Sequence, residues 1–244
     1  MDTPLFPVGD TYETPWRESF DGGAAVSLFR SETVKNYQVV PSWDVFNDTD
    51  SDVKARDNDF GYMAMNGEHA DDCARFYSGK VSLAGLSRPA LSFYVYNYTA
   101  GTSVDRNELE VYVCVAPPFL FQKEIIVGEL PAKGWNKVIV PLDEFAGKTI
   151  QFAFQGTTKT HMATPVDCIT IDNLADVDLE AVEVNAPATV SAGRGFNVVA
   201  KIENGGSLKA DGYKVELYRD NVLVGVEDGP AIESCGIAEV VFND

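Results

Sequence analysis

The sequence predicts an all-β protein: a β-sandwich followed by a smaller, immunoglobulin-like β-sandwich. Three observations predict it. Short runs of alternating apolar and polar residues recur along the chain, and no window of helical period competes with them. Glycine and proline punctuate those runs. The composition shifts after Asp176, where a second series of strands begins. At 244 residues, 45% of them hydrophobic, the chain suits one large domain or two modest ones.

Residues 1–15 are rich in Pro, Asp and Thr and read as a linker or the tail of a preceding module. The first sandwich is expected over 16–176. Trp16 and Phe20 bracket its opening strand, which contains Glu18-Ser19-Phe20-Asp21 and ends at Gly22-Gly23. Residues 30–60 show little periodicity and many acids, so a long functional or metal-ordered loop anchored by Trp43 is expected there. Strands follow over 61–65 and 74–83. Leu91, Phe93 and Val95 then point one way, and Tyr94, Tyr96 and Tyr98 the other. Leu109, Val111, Val113 and Val115 alternate next and are stopped by Pro117-Pro118. Ile125 to Val127 is a short apolar run. A strand opened by Gly134-Trp135 ends at Pro141, and Asp143 to Gly147 is a turn. Ile150, Phe152 and Phe154 alternate with Gln151, Ala153 and Gln155. Ile169 to Asn173 closes the domain, with Ile169 and Ile171 on one face and Thr170 and Asp172 on the other.

The second domain, 177–244, has strand-like runs over 178–184, 196–202, 213–218, 222–226 and 237–242. Asp220-Asn221 is a good hairpin turn. About five strands fit, against roughly seven in an immunoglobulin fold. The domain is therefore expected to be cut short or completed by another chain. Exposed sheet edges would invite self-association by strand pairing.

Charge and composition exclude several functions. The net charge is −18, with 37 acidic residues against 19 basic. Phosphate binding needs clustered Lys and Arg, so nucleic acid and anionic membrane surfaces are poor partners. No stretch approaches the ~18 apolar residues of a membrane helix. No signal-peptide pattern follows Met1, and the start reads like that of an excised region. Cys73, Cys114, Cys168 and Cys235 form no CxxC pair, which argues against zinc or thioredoxin-like chemistry and leaves their pairing open.

Two candidate sites arise from the residues. Asp48, Asp50 and Asp52 alternate in a spacing that suits Ca²⁺, yet the loop lacks the glycine and distal Glu of an EF-hand and also reads as a solvated acidic surface. Tyr94, Tyr96 and Tyr98 share one strand face, where their rings could stack on sugars, anchor a protein partner or simply lie half-buried; Tyr112 could join them. Catalysis finds little support. His69 and His161 read as surface histidines, and G-x-S-x-G, H-E-x-x-H and P-loop motifs are absent from the sequence.

The order and spacing of several motifs resemble the cleaved-adhesin modules of gingipain-type haemagglutinins, which are jelly-roll sandwiches related to MAM domains. The motifs are Glu18-Ser19-Phe20-Asp21, Leu91-Ser92-Phe93-Tyr94, Trp135 before Val138 to Leu142, the turn Glu144 to Lys148, Gln151 to Phe154, and Ile169 to Leu174. They cover residues 16–176. The following domain is similar to CARDB-type immunoglobulin-like modules. The resemblance implies a jelly roll, secretion or a cell-surface location, adhesion, and structural Ca²⁺ held by Glu18, Asp21 and Asp172. Related modules carry alternating Asp and Gly after the first tryptophan, whereas Asn47 to Asp52 here has no glycine. The expected function is a non-catalytic adhesion module that binds a host protein or glycan. The alternative is a carbohydrate-binding module appended to a secreted hydrolase.

Overall fold

The computed structural model describes residues 11–20, 30–35, 41–47, 53–56, 61–99, 107–160, 162–189, 191 and 195–243. Asp21, Asp48, Asp50, Asp52, Asp57, Asp59 and His161 lie outside the described residues. The chain divides into two compact units, Met1–Asn173 and Leu174–Asp244.

In the first unit the described strands are β1 (Trp16–Glu18), β2 (Arg30–Lys35), β3 (Ser42–Asn47), β4 (Gly61–Asn66), β5 (Cys73–Tyr77), β6 (Val81–Ser82), β7 (Pro89–Asn97), β8 (Glu108–Cys114), β9 (Leu120–Ile126), β10 (Gly134–Pro141), β11 (Thr149–Thr157) and β12 (Thr164–Asn173). They form two antiparallel sheets. One runs β10-β7-β12-β4-β3, with β1 also on β12; the other runs β2-β5-β11-β8-β9, with β6 also on β11. Thr164 to Val166 of β12 pair with β4, and Ile169 to Ile171 pair with β1, so these two strands share one edge of β12.

Alternation puts one side chain in two between the sheets. Leu91, Phe93 and Val95 of β7 meet Phe76 of β5 and Ile150, Phe152 and Phe154 of β11 in one buried cluster. Phe154 sits at its centre, with ring centroids 4.6 Å from Phe93 and 5.0 Å from Phe76. Each such ring, fully buried, contributes roughly 1.5–3 kcal/mol. Close backbone approach adds a constraint at Gly61, where a Cβ would lie 2.4 Å from the Phe20 carbonyl oxygen.

The structure departs from expectation in two places. Residues 30–60 were expected to be one long loop, yet they contribute β2 and β3. β2 (RSETVK) is an edge strand with mostly exposed side chains, so no apolar alternation marks it. In β3 Trp43 does act as the anchor: it is 4% exposed, and its indole N–H donates to the Ala74 carbonyl at 2.9 Å. The closing strand also begins earlier than expected, at Thr164. Pro165 and the buried Asp167 disguise its first half, and a bulge between Asp167 and Thr170, with Cys168 at φ 49°, breaks its period.

The second unit holds β13 (Leu179–Asn185), β14 (Asn197–Asn204), β15 (Lys214–Arg219), β16 (Val222–Asp228) and β17 (Ile237–Asn243). β13-β14-β17 form one sheet and β15-β16 a hairpin. Asp220 and Asn221 turn the hairpin at φ 51° and 64°, the left-handed pair that a type I′ turn requires. Val198, Ala200, Ile202, Ile232, Val240 and Phe242 form the small core. Asn204 ties the ends together. Its amide donates to the carbonyls of Leu208 (2.8 Å) and Ile232 (3.1 Å), and its oxygen accepts from Gly206 N (3.0 Å).

Candidate functional site

Each sheet of the first unit turns an outer face away from the shared core, and the two faces are chemically different. On the first sheet, alternation places Tyr94 and Tyr96 outward, with Tyr98 just beyond β7. β10 brings Trp135 opposite Tyr96, and their rings lie 5.3 Å apart. Tyr96 and Tyr98 are 4.9 Å apart, and Tyr62 packs 6.1 Å from Trp135.

The segment 53–56 lies on these rings. Val53 and Ala55 are buried, the Trp135 indole donates to the Lys54 carbonyl (2.8 Å), and Arg56 N donates to the buried Asp167 carboxylate (2.8 Å). The Arg56 guanidinium stands 4.5 Å above the Tyr94 ring. Tyr94 is thereby reduced to 8% exposure, while Tyr96, Tyr98 and Trp135 remain half-buried. The predicted tyrosine stripe therefore exists, and Val53, Tyr62 and Ala64 make it a second apolar cluster under the 53–56 segment.

Tyr112 does not join that stripe. It lies on β8, in the other sheet, because sequence periodicity fixes a face but not which sheet carries it.

The outer face of the second sheet is ordered in rows by strand register. One row runs Glu32, Arg75, Gln155, Glu110, and the next runs Tyr77, Ala153, Tyr112, Phe121. Ala153, wholly buried, lets the flanking groups close over it. The Arg75 guanidinium lies 4.8 Å from the Tyr112 ring centroid and 6.0 Å from that of Tyr77. Its Nε donates to Gln155 Oε1 at 3.0 Å, and Nη2 donates to the same oxygen. Gln155 Nε2 donates in turn to Glu110 Oε2, and the Tyr112 hydroxyl donates to Glu110 Oε1 at 3.0 Å. The Tyr77 hydroxyl donates to Glu32 Oε2 at 2.7 Å.

Burial, reinforced by the hydrogen bond to Glu110, pushes the Tyr112 phenol up to about 12. Burial and the bond to Glu32 raise Tyr77 as well. Beyond this net, Lys159 bridges Asp71 (2.7 Å) and Glu108 (3.5 Å), and its hydrogen bond holds the Asp71 carboxyl below the usual carboxylate range. Aromatic faces beside fixed planar donors and acceptors match what a sugar presents: C–H faces and hydroxyl edges.

The residues expected to hold Ca²⁺ are placed as follows. β1 and β12 are neighbours, as the motif pair implies, but Glu18 stands opposite Ile169, on the core side, with Oε1 accepting from Phe20 N at 2.7 Å. Asp172 lies three residues further on, about 10 Å along the strand, and on the outer side with Thr170. The two carboxylates thus do not come together to fit one ion, whose bonds are about 2.3–2.6 Å. Asp21, Asp48 and Asp50 are outside the described residues, among which no cluster of three potential metal ligands occurs. His69 belongs to a turn in which Asp72 accepts from His69 N (2.9 Å) and Glu68 N (3.2 Å). Cys73, Cys114 and Cys168 are buried thiols, and Cys235 is half-buried.

No family model matches the sequence, and no curated protein matches it. Among solved structures, the chain is similar to the K1 cleaved adhesin domain of Lys-gingipain from Porphyromonas gingivalis: 13% identity, TM-score 0.49, over 65% of this chain and 97% of that one. The K2 cleaved adhesin domain of Lys-gingipain gives 12% identity and a TM-score of 0.45, over 64% and 98%. A mannan-recognising carbohydrate-binding module gives 14% identity and a TM-score of 0.38, over 64% and 94%. Likenesses this distant transfer no residue's role to this chain.

Proposed function

We propose that the first unit is a non-catalytic saccharide-binding module of a secreted or cell-surface protein, and that it binds through the outer face of its second sheet. One observation carries this reading: Arg75, stacked on the half-buried Tyr112 ring and bonded to Gln155, which Glu110 holds in turn, forms a fixed aromatic and polar platform. A merely solvated face has no need of such a net. Fixing rotamers before binding lowers the ordering cost of recognition.

A second reading places the ligand on the first sheet. It is favoured by the half-exposed rings of Tyr96, Tyr98 and Trp135, which would stack on a sugar. NMR shift mapping with a panel of neutral oligosaccharides separates the two. The proposal expects shifts at Arg75, Tyr112 and Gln155 that Tyr112→Ala removes. Shifts confined to Tyr96, Tyr98 and Trp135 would support the second reading, and silence throughout the panel would sink the first.

A further inference from the structure

The platform does not end at its tyrosine row. The side chains of β11 that face outward are Thr149, Gln151, Ala153 and Gln155, spaced about 6.6–6.8 Å apart. Beyond Ala153, Gln151 and Thr149 reach a groove of about 560 Å³ lined also by Thr11, Val115, Ile150, Lys80 and Lys148. That volume lies in the range of small-ligand pockets, roughly 300–1,000 Å³.

The charge of this groove is unusual for its setting. The chain has 37 acidic residues against 19 basic, yet among the described residues two lysines and no carboxylate line it. The lysines are also positioned by their backbones. The Lys80 carbonyl accepts from Tyr12 N at 2.9 Å, and the Lys148 carbonyl accepts from Leu83 N at 2.9 Å. Lys148 Nζ donates to the Glu144 carbonyl at 2.8 Å. The Gln151 amide is oriented by donation to the Ser78 carbonyl at 2.9 Å. Glu32 and Glu110 lie on the other side of the tyrosine row. The far row thus carries Glu32 and Glu110 with Arg75 between them, whereas the groove, among the described residues, carries lysines alone.

We infer that the Lys80–Lys148 groove is a subsite for a sugar bearing a carboxylate, such as a uronic acid, at one end of a glycan whose neutral part lies on the tyrosine row. The inference rests on the saccharide-binding reading and deepens it by naming the ligand class and its direction. A carboxylate would take charge-assisted hydrogen bonds from the ammonium groups. The exposed Thr149 hydroxyl would meet a neighbouring hydroxyl, and Val115 would meet the ring's C–H face, above a floor closed by the buried Ile150 and Gln151.

The test is calorimetric titration of the full chain with matched β-linked disaccharides, each as the neutral sugar and as its uronate. At low salt the uronate should bind about tenfold tighter, the factor that 1.4 kcal/mol gives. Half-molar salt should shrink the difference. Lys80→Gln combined with Lys148→Gln should abolish it. Equal affinity for the two sugars, or a preference that survives the double variant, overturns the subsite while leaving the platform standing. Binding of neither member overturns both readings. Circular dichroism of the double variant excludes misfolding as the cause of a loss.

Discussion

Replacing Arg75 by alanine tests the platform as a physical object. Arg75 is half-buried, stacks within 4.8 Å of Tyr112 and donates twice to Gln155. A cation–π contact at such a site contributes about 0.5–1 kcal/mol. The net worth of a hydrogen bond is about 0.5–1.5 kcal/mol, and two nitrogens on one oxygen count as little more than one. The contact to Tyr77 at 6.0 Å is at the limit of reach and adds little. Arg75→Ala should therefore destabilise the first unit by about 1–2.5 kcal/mol. In urea, with a slope of about 1–3 kcal/mol/M, the midpoint should fall by roughly 1 M. Tryptophan fluorescence is the right probe because Trp16, Trp43 and Trp135 all lie in the first unit. Arg75→Lys keeps the charge but loses the planar fork, so it should lose most of the same stability. A change below about 0.5 kcal/mol for Arg75→Ala, the size of an ordinary surface substitution, would refute the reasoning.

Other outcomes follow from the same structure. At Gly156 a Cβ would lie 2.7 Å from Met65 Cγ and 3.0 Å from Trp43 Cζ2, so Gly156→Ala should cost about 1–3 kcal/mol by overpacking, read by the same urea titration. Asn204→Ala should destabilise the second unit by about 2–4 kcal/mol and lower its melting transition while leaving the tryptophan signal of the first unchanged, as scanning calorimetry beside fluorescence would show. Tyr112 holds its proton more tightly folded than unfolded. Its stabilisation is present below pH ~10 and is lost as pH rises toward about 12, and ultraviolet titration of tyrosinate should find late-titrating phenols, one of which Tyr112→Phe removes. Burial pushes the Cys114 thiol up to about 11 and raises Cys73, so a thiol reagent at pH 8 should label half-buried Cys235 first and those two only on unfolding.

Much of the fold was legible because a sandwich writes its core in alternation. β7, β8 and β11 each turn every second residue into the core, and their spans follow the periodicity closely. β2 was illegible because an edge strand with a mostly exposed surface has no apolar period. The first half of β12 was hidden by a proline and by an acid buried through contacts made far away in sequence.

The candidate site divides the same way. The tyrosine stripe was visible as a same-face row, yet its packing under Val53 and Ala55 depends on a segment some forty residues upstream (Tyr94 versus Val53). The platform was missed because Arg75, Tyr112 and Gln155 stand on three separate strands, and register alone joins them. The one available signal was that Cys73, Arg75 and Tyr77 alternate with Ala74 and Phe76, which marks an outward polar and aromatic face. The Glu18–Asp172 pairing read correctly that first and last strands are neighbours, but register and face, which decide whether two carboxylates can meet, are not written in either motif.

A glycan array probed with the wild-type chain, Tyr112→Ala and Tyr96→Ala in parallel tests the central claim most directly. The account predicts a defined set of bound saccharides that Tyr112→Ala loses and Tyr96→Ala keeps. Binding that survives Tyr112→Ala but vanishes with Tyr96→Ala would contradict it and move the site to the other sheet.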